Sequence, residues 1–150
     1  MLNNHGQAVA AGFTLIELLV VVGIMTTLAF MSVSFYSRFF LQNAVANTVD
    51  QVVGTLRKAQ TYSMMGKNDD KWGVNYSASK ITLFKGSALG VNPAFNESFT
   101  VNSNVTITGL TETTFARGTG IPSGILSITV SSTNNNSKTI TVNSQGVTSE

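Results

Sequence analysis

The sequence predicts an α+β chain, a long N-terminal helix followed by an antiparallel, β-rich head. Three observations carry that expectation. An apolar run fills residues 13–33, a one-sided apolar pattern continues it to residue 59, and short alternating segments begin at residue 72. The first two repeat at helical spacing, and the third repeats every two residues between Gly, Asn and Ser clusters, as strands do.

The run at 13–33 holds 21 residues, about 31 Å of α-helix at roughly 1.5 Å per residue, against a hydrocarbon core of roughly 30 Å. A transmembrane or assembly helix is expected there. Glu17 is its only formally charged residue. An ionisable group at membrane depth is costly, so Glu17 reads as functional. Beyond it, Leu41, Val45, Val49, Val52, Leu56 and Ala59 recur at steps of four, four, three, four and three. Gln42, Asn43, Asn47, Asp50, Gln51, Arg57 and Lys58 fill much of the other face, which makes 34–66 an amphipathic continuation of the same helix. Arg57 and Lys58 suit the negative end of the macrodipole, and Gly66 is placed to cap it. Gly23, Ser32, Ser34 and Ser37 either loosen the helix or let neighbours pack closely. No proline lies between Met1 and Asn92.

The head is expected over 67–150, its buried side covered by helix residues 41–63. Segments 72–76 and 81–84 read as a hairpin turning at 77–80. Segments 98–101 and 105–108 flank Asn102-Ser103-Asn104, a turn-forming cluster. Segments 125–130 and 139–143 alternate on either side of Asn134-Asn135-Asn136 and read as a second hairpin, and a last short strand comes after Gly146. Alternation implies one buried and one wet face, as in an antiparallel sheet.

Composition narrows the function. Charged residues make up 11% of the chain and the formal net charge is +2, too little to argue for nucleic acid or an anionic membrane surface. The chain has no cysteine and its single histidine is His5. A chain lacking both after residue 5 cannot host a His-based triad, a thiol nucleophile or a typical zinc site. Asp50, Asp69, Asp70, Glu97, Glu112 and Glu150 show no paired acid–base pattern, so no enzyme, cofactor or metal is expected. Lys67-Asn68-Asp69-Asp70-Lys71 lacks the ligand spacing of an EF-hand loop and reads as a solvated turn. Trp72, Tyr76 and Phe84 read as core aromatics rather than a stacking platform for bases. Arg117 and Lys138 are too isolated for a phosphate track.

The segment Gly12-Phe13-Thr14-Leu15-Ile16-Glu17, leading into Leu18-Leu19-Val20-Val21-Val22-Gly23-Ile24-Met25, resembles the class III signal of type IV pilins and type II secretion pseudopilins. The resemblance implies that a prepilin peptidase removes a leader, 1–12, by cutting after Gly12 and that the new N-terminus, Phe13, is methylated. Glu17 then becomes the fifth mature residue, where the family keeps a glutamate. An ordinary secretory signal fits poorly, because its small-residue cleavage site lies beyond the apolar core; here the glycine precedes it. The leader contains no Lys or Arg, a departure from the family. The predicted architecture matches the pilin-like fold, whose helix is apolar and transmembrane in its first half and packs on an antiparallel sheet in its second. Leu56-Arg57-Lys58-Ala59-Gln60 loosely resembles H-type minor pseudopilins, but the chain ends in Gln145-Gly146-Val147-Thr148-Ser149-Glu150 rather than in Gly-Arg and basic residues.

The same resemblance implies a structural subunit of a type IV pilus or pseudopilus. It would sit in the cytoplasmic membrane before assembly and in an extracellular or periplasmic filament afterwards. Its expected partners are copies of itself or related subunits, the peptidase, an inner-membrane assembly platform and membrane lipid. The alternatives are a minor pilin acting as adhesin or DNA-uptake component, and a secretion pseudopilin. Glu17 has a physical task in all of them. An apolar rod slides freely along its neighbours, and one buried polar residue fixes register at a cost in stability. Its carboxylate would meet the Phe13 ammonium of the next subunit.

Overall fold

The computed structural model describes residues 12–149, apart from the side chains of 32–35 and 37. Residues 1–11 of the expected leader, His5 among them, Glu150 and the side chains of Ser32, Ser34 and Ser37 therefore lie outside the described residues. The chain divides into two compact units, Met1–Ser37 and Arg38–Glu150. One helix, α1, covers Leu15–Met64, 50 residues, and contributes to both.

In the first unit, Thr14 precedes α1 and caps it. The Glu17 amide donates to Thr14 Oγ1 at 3.3 Å, and the Leu18 amide donates to the Thr14 carbonyl at 3.2 Å. Every residue described from 12 to 31 is exposed.

In the second unit α1 turns one face inward. Val45, Val49, Val52, Leu56, Ala59 and Ser63 are buried along it, at steps of three and four that keep a stripe on one side. Thr48 and Thr55 are also buried, and their hydroxyls donate to the carbonyls four residues back, Ala44 at 2.8 Å and Gln51 at 2.6 Å. That bond removes the penalty of an unpaired buried hydroxyl. The helix stops where Gly66 takes a left-handed φ of 58° and its amide donates to the Ser63 carbonyl at 3.0 Å. Glycine pays no Cβ penalty there.

Among the described residues eight strands follow α1: β1 (Trp72–Ser77), β2 (Lys80–Lys85), β3 (Glu97–Thr100), β4 (Val105–Thr108), β5 (Glu112–Phe115), β6 (Leu126–Ser132), β7 (Ser137–Val142) and β8 (Thr148–Ser149). They form two four-stranded sheets, ordered β3-β2-β1-β5 and β4-β6-β7-β8, with every pairing antiparallel. The β1–β2 hairpin pairs Ser77 with Lys80. Its two turn residues, Ala78 and Ser79, have φ of 49° and 57°, so the turn twists in the same sense as the strands it joins.

Two expectations are corrected. The single antiparallel sheet of the pilin-like fold is replaced by two sheets. Segments 98–101 and 105–108, on either side of their turn, belong to different sheets: β3 pairs with β2, and β4 pairs with β6. The transmembrane assignment at 13–33 also falls, because among the described residues no helix is long and apolar enough to cross a membrane.

One core joins the helix and both sheets. Val45, Val49, Val52 and Leu56 belong to the same buried cluster as Val74, Ile81, Leu83 and Phe115 of the first sheet and Ile107, Ile128, Val130, Ile140 and Val142 of the second. The second sheet alternates buried and exposed residues along β4 and the end of β7. The first sheet differs, since β2 buries four consecutive residues, Ile81, Thr82, Leu83 and Phe84. Ile81 and Leu83 join the cluster with α1, which leaves Phe84 on the opposite face by the two-residue period of a strand. There the Phe84 ring occupies the space that a Cβ on Gly73 of β1 would need.

Candidate functional site

The peptide bond between Gly12 and Phe13 lies two residues before α1 begins. Among the described residues nothing approaches within 4 Å of where a Cβ on Gly12 would stand, and Phe13 is 82% exposed. Glu17 lies in the first turn of α1, where a carboxylate also suits the positive end of the macrodipole. Thr14 and Glu17 have the spacing of a capping box, Ser/Thr-x-x-Glu/Gln, and the Glu17 amide completes one half of it through Thr14 Oγ1. A processing motif at this segment hides the capping task of Thr14, although the spacing that signals it stands in the sequence.

From Leu15 to Met31 the large apolar side chains are uncovered on every side of the helix; Ile16, Val20, Ile24, Leu28 and Met31 are all exposed. The polar groups among them make few demands. Thr27 Oγ1 donates to the carbonyls of Gly23 and Ile24 at 3.1 and 2.8 Å, and Thr26 Oγ1 to that of Gly23 at 3.1 Å. These bonds stay within the helix, so the segment can enter an apolar environment without leaving hydroxyls unpaired. Glu17 is then the one side chain of this stretch that needs a partner from outside.

The other residues singled out from the sequence fall in the head. Trp72 and Phe84 are buried and Tyr76 half-buried, so their faces are not offered to bases. The Trp72 ring packs edge-on against Tyr62 at 5.0 Å between centroids, and its amide donates to the buried Ser63 Oγ at 2.8 Å. Lys67 Nζ stands 3.6 Å over the Tyr62 ring. Asp69 pairs with Arg117, and Asp70 Oδ1 accepts from the Lys71 amide at 2.8 Å. The turn at 67–71 thus engages both of its carboxylates with protein groups. Among the described residues no group of three or more His, Cys, Asp or Glu is placed to hold a metal ion.

An ion pair joins the helix to the first sheet. Lys58 Nζ lies 2.5 Å from Glu97 Oε2 at the start of β3. That carboxylate raises the Lys58 pKa above its ordinary 10.5, against a smaller opposing effect of burial.

No family model, curated protein or solved structure matches the chain.

Proposed function

We propose that this chain is a structural subunit of a type IV pilus or pseudopilus. It is cut after Gly12, methylated at Phe13, and assembled through its N-terminal helix into a filament outside the cytoplasmic membrane. The observation that carries the reading is a helix segment whose apolar side chains are exposed all round, with one carboxylate in its first turn. Uncovered apolar surface on that scale calls for a partner, and a bundle of identical segments covers every side at once. The exposure of Phe13 supports processing at that place.

Within such a bundle apolar contact sets no register, because each residue packs about as well one turn up or down. An unpaired carboxylate in low dielectric is penalised by several kcal/mol. A subunit is therefore stopped where Glu17 meets the Phe13 ammonium of a neighbour. The partners are accordingly other subunits, the peptidase that frees Phe13, and the platform that feeds subunits to the growing end.

The rival role for Glu17 is the capping box, and one substitution separates the two. Glutamine serves at the third position of a capping box as glutamate does, but it carries no charge. Glu17→Gln is expected to leave cleavage after Gly12 and helix content unchanged while filament yield, counted by electron microscopy, collapses. Normal filaments from Glu17→Gln, with loss only in Glu17→Ala, would assign Glu17 to capping and overturn the register argument.

A further inference from the structure

A groove of about 450 Å³ opens in the second unit between the start of its helical stretch and the β6–β7 turn, lined by Arg38, Leu41, Gln42, Ser132, Asn134 and Asn136. That volume is within the roughly 300–1,000 Å³ of small-molecule sites. Its chemistry is one-sided: a guanidinium, several carboxamides and a half-buried leucine, with no carboxylate among the lining residues.

The turn satisfies its own backbone. The Ser132 amide donates to the Asn136 carbonyl at 2.8 Å, and the Asn135 amide to the Ser132 carbonyl at 3.1 Å. Asn135 takes the left-handed φ of 59° that closes it, a conformation asparagine tolerates better than most residues. The carboxamides of Asn134 and Asn136 are thus not needed to hold the turn together.

Ser132 supplies an independent sign of a ligand. It continues the inward row of β6 begun by Ile128 and Val130, so its position calls for an apolar residue. Instead it carries a hydroxyl that is buried without a partner among the described residues. A buried polar atom left unpaired costs stability and asks for an explanation. A bound group that hydrogen-bonds Ser132 supplies one.

We propose that this groove binds an acidic sugar residue, a polyhydroxylated ring bearing one carboxylate. The guanidinium of Arg38 would take the carboxylate through two parallel N–H bonds. The amides of Gln42, Asn134 and Asn136 each offer both a donor and an acceptor, as vicinal hydroxyls require. Leu41 gives the apolar face of the ring a surface to rest on. A phosphate site would instead converge several cations or backbone N–H groups on one point, whereas here a single cation is surrounded by neutral amides. The inference concerns the head alone and does not rest on filament assembly.

The test uses the full chain in a zwitterionic detergent free of sugar, titrated with glucuronate, glucose and inorganic phosphate while the amide resonances of 132–136 are followed. Saturable shifts with glucuronate are expected, with glucose at least roughly tenfold weaker for want of the charged pair. Arg38→Gln should erase that difference. Ser132→Ala discriminates most sharply: relieved of an unpaired hydroxyl, the fold should gain a few degrees in Tm while glucuronate affinity falls. No saturable binding of glucuronate, phosphate binding as tightly as glucuronate, or Ser132→Ala leaving affinity intact would each overturn the proposal.

Discussion

Replacing Gly73 by alanine tests the packing of the first sheet. The added Cβ would lie 2.5 Å from the Phe84 ζ carbon, 2.5 Å from the Thr113 carbonyl oxygen and 2.9 Å from Thr114 Cγ2. All three are closer than van der Waals contact permits, and they differ in how they can yield. Phe84 is fully buried, so its ring can retreat only by disturbing its neighbours. The Thr113 carbonyl belongs to β5, which pairs with β1 from Trp72↔Phe115 to Asn75↔Glu112, and it cannot move without opening that ladder. Overpacking of this kind typically costs about 1–3 kcal/mol. At roughly 4 °C or more per kcal/mol for a domain of about a hundred residues, Tm should fall by about 4–12 °C. Thermal unfolding followed by circular dichroism reads this directly. Adding Phe84→Leu to Gly73→Ala removes the ζ carbon and should recover part of the loss. The clash with the Thr113 carbonyl remains. A Gly73→Ala protein melting within a degree of the parent would refute the claim that this face of the sheet is tightly packed.

Two further predictions concern the junction of helix and sheet. Ser63→Ala leaves the buried Trp72 amide without the acceptor it has at 2.8 Å, so a loss of about 1–3 kcal/mol is expected; unchanged urea midpoints and unchanged Trp72 fluorescence would contradict it. The Lys58–Glu97 pair sets a pH dependence. The Lys58 pKa is raised in the folded chain, so the pair's contribution is fully present below pH 10.5 and is lost as pH rises through the higher folded value. Because one side chain is 35% and the other 44% exposed, that contribution is about 0–1 kcal/mol. Glu97→Gln should therefore lower the urea midpoint slightly at about pH 8 and have no effect once pH passes the folded pKa; an equal effect at both would show that Glu97 acts other than through charge.

The helix was the most legible part of the chain, because burial on one face imposes its own period. Val45, Val49, Val52, Leu56 and Ala59 stand in the sequence at the spacing at which they are buried, and Gly66 ends the helix in the conformation only glycine adopts freely. The β1–β2 and β6–β7 hairpins were legible for a related reason, since their partners are neighbours in sequence. The sorting of strands into two sheets was not. A four-residue segment such as Val105–Thr108 shows which of its residues face inward, but nothing in it names β6, about twenty residues on, as its partner. Strand β5 gives no signal of its own. Of its two inward residues Phe115 is apolar, but Thr113 is buried although polar, its hydroxyl 3.3 Å from Ser123 Oγ, so one apolar position is too little for an alternation to show. At the N-terminus the residues Gly12, Phe13 and Glu17 were visible as a motif, whereas the capping role of Thr14 was hidden behind it. The groove at Arg38 and Ser132 could not have been read, because it joins residues about ninety positions apart through tertiary packing.

The central claim is that Gly12 and Phe13 mark a processing site at the head of an assembling helix. Intact-mass and N-terminal peptide spectrometry of the protein from its native membrane and shear fractions tests this directly. The account predicts a chain beginning at Phe13, its terminal amine carrying one added methyl group, in the sheared filament fraction. A chain still beginning at Met1, or one cut elsewhere than after Gly12, would contradict it.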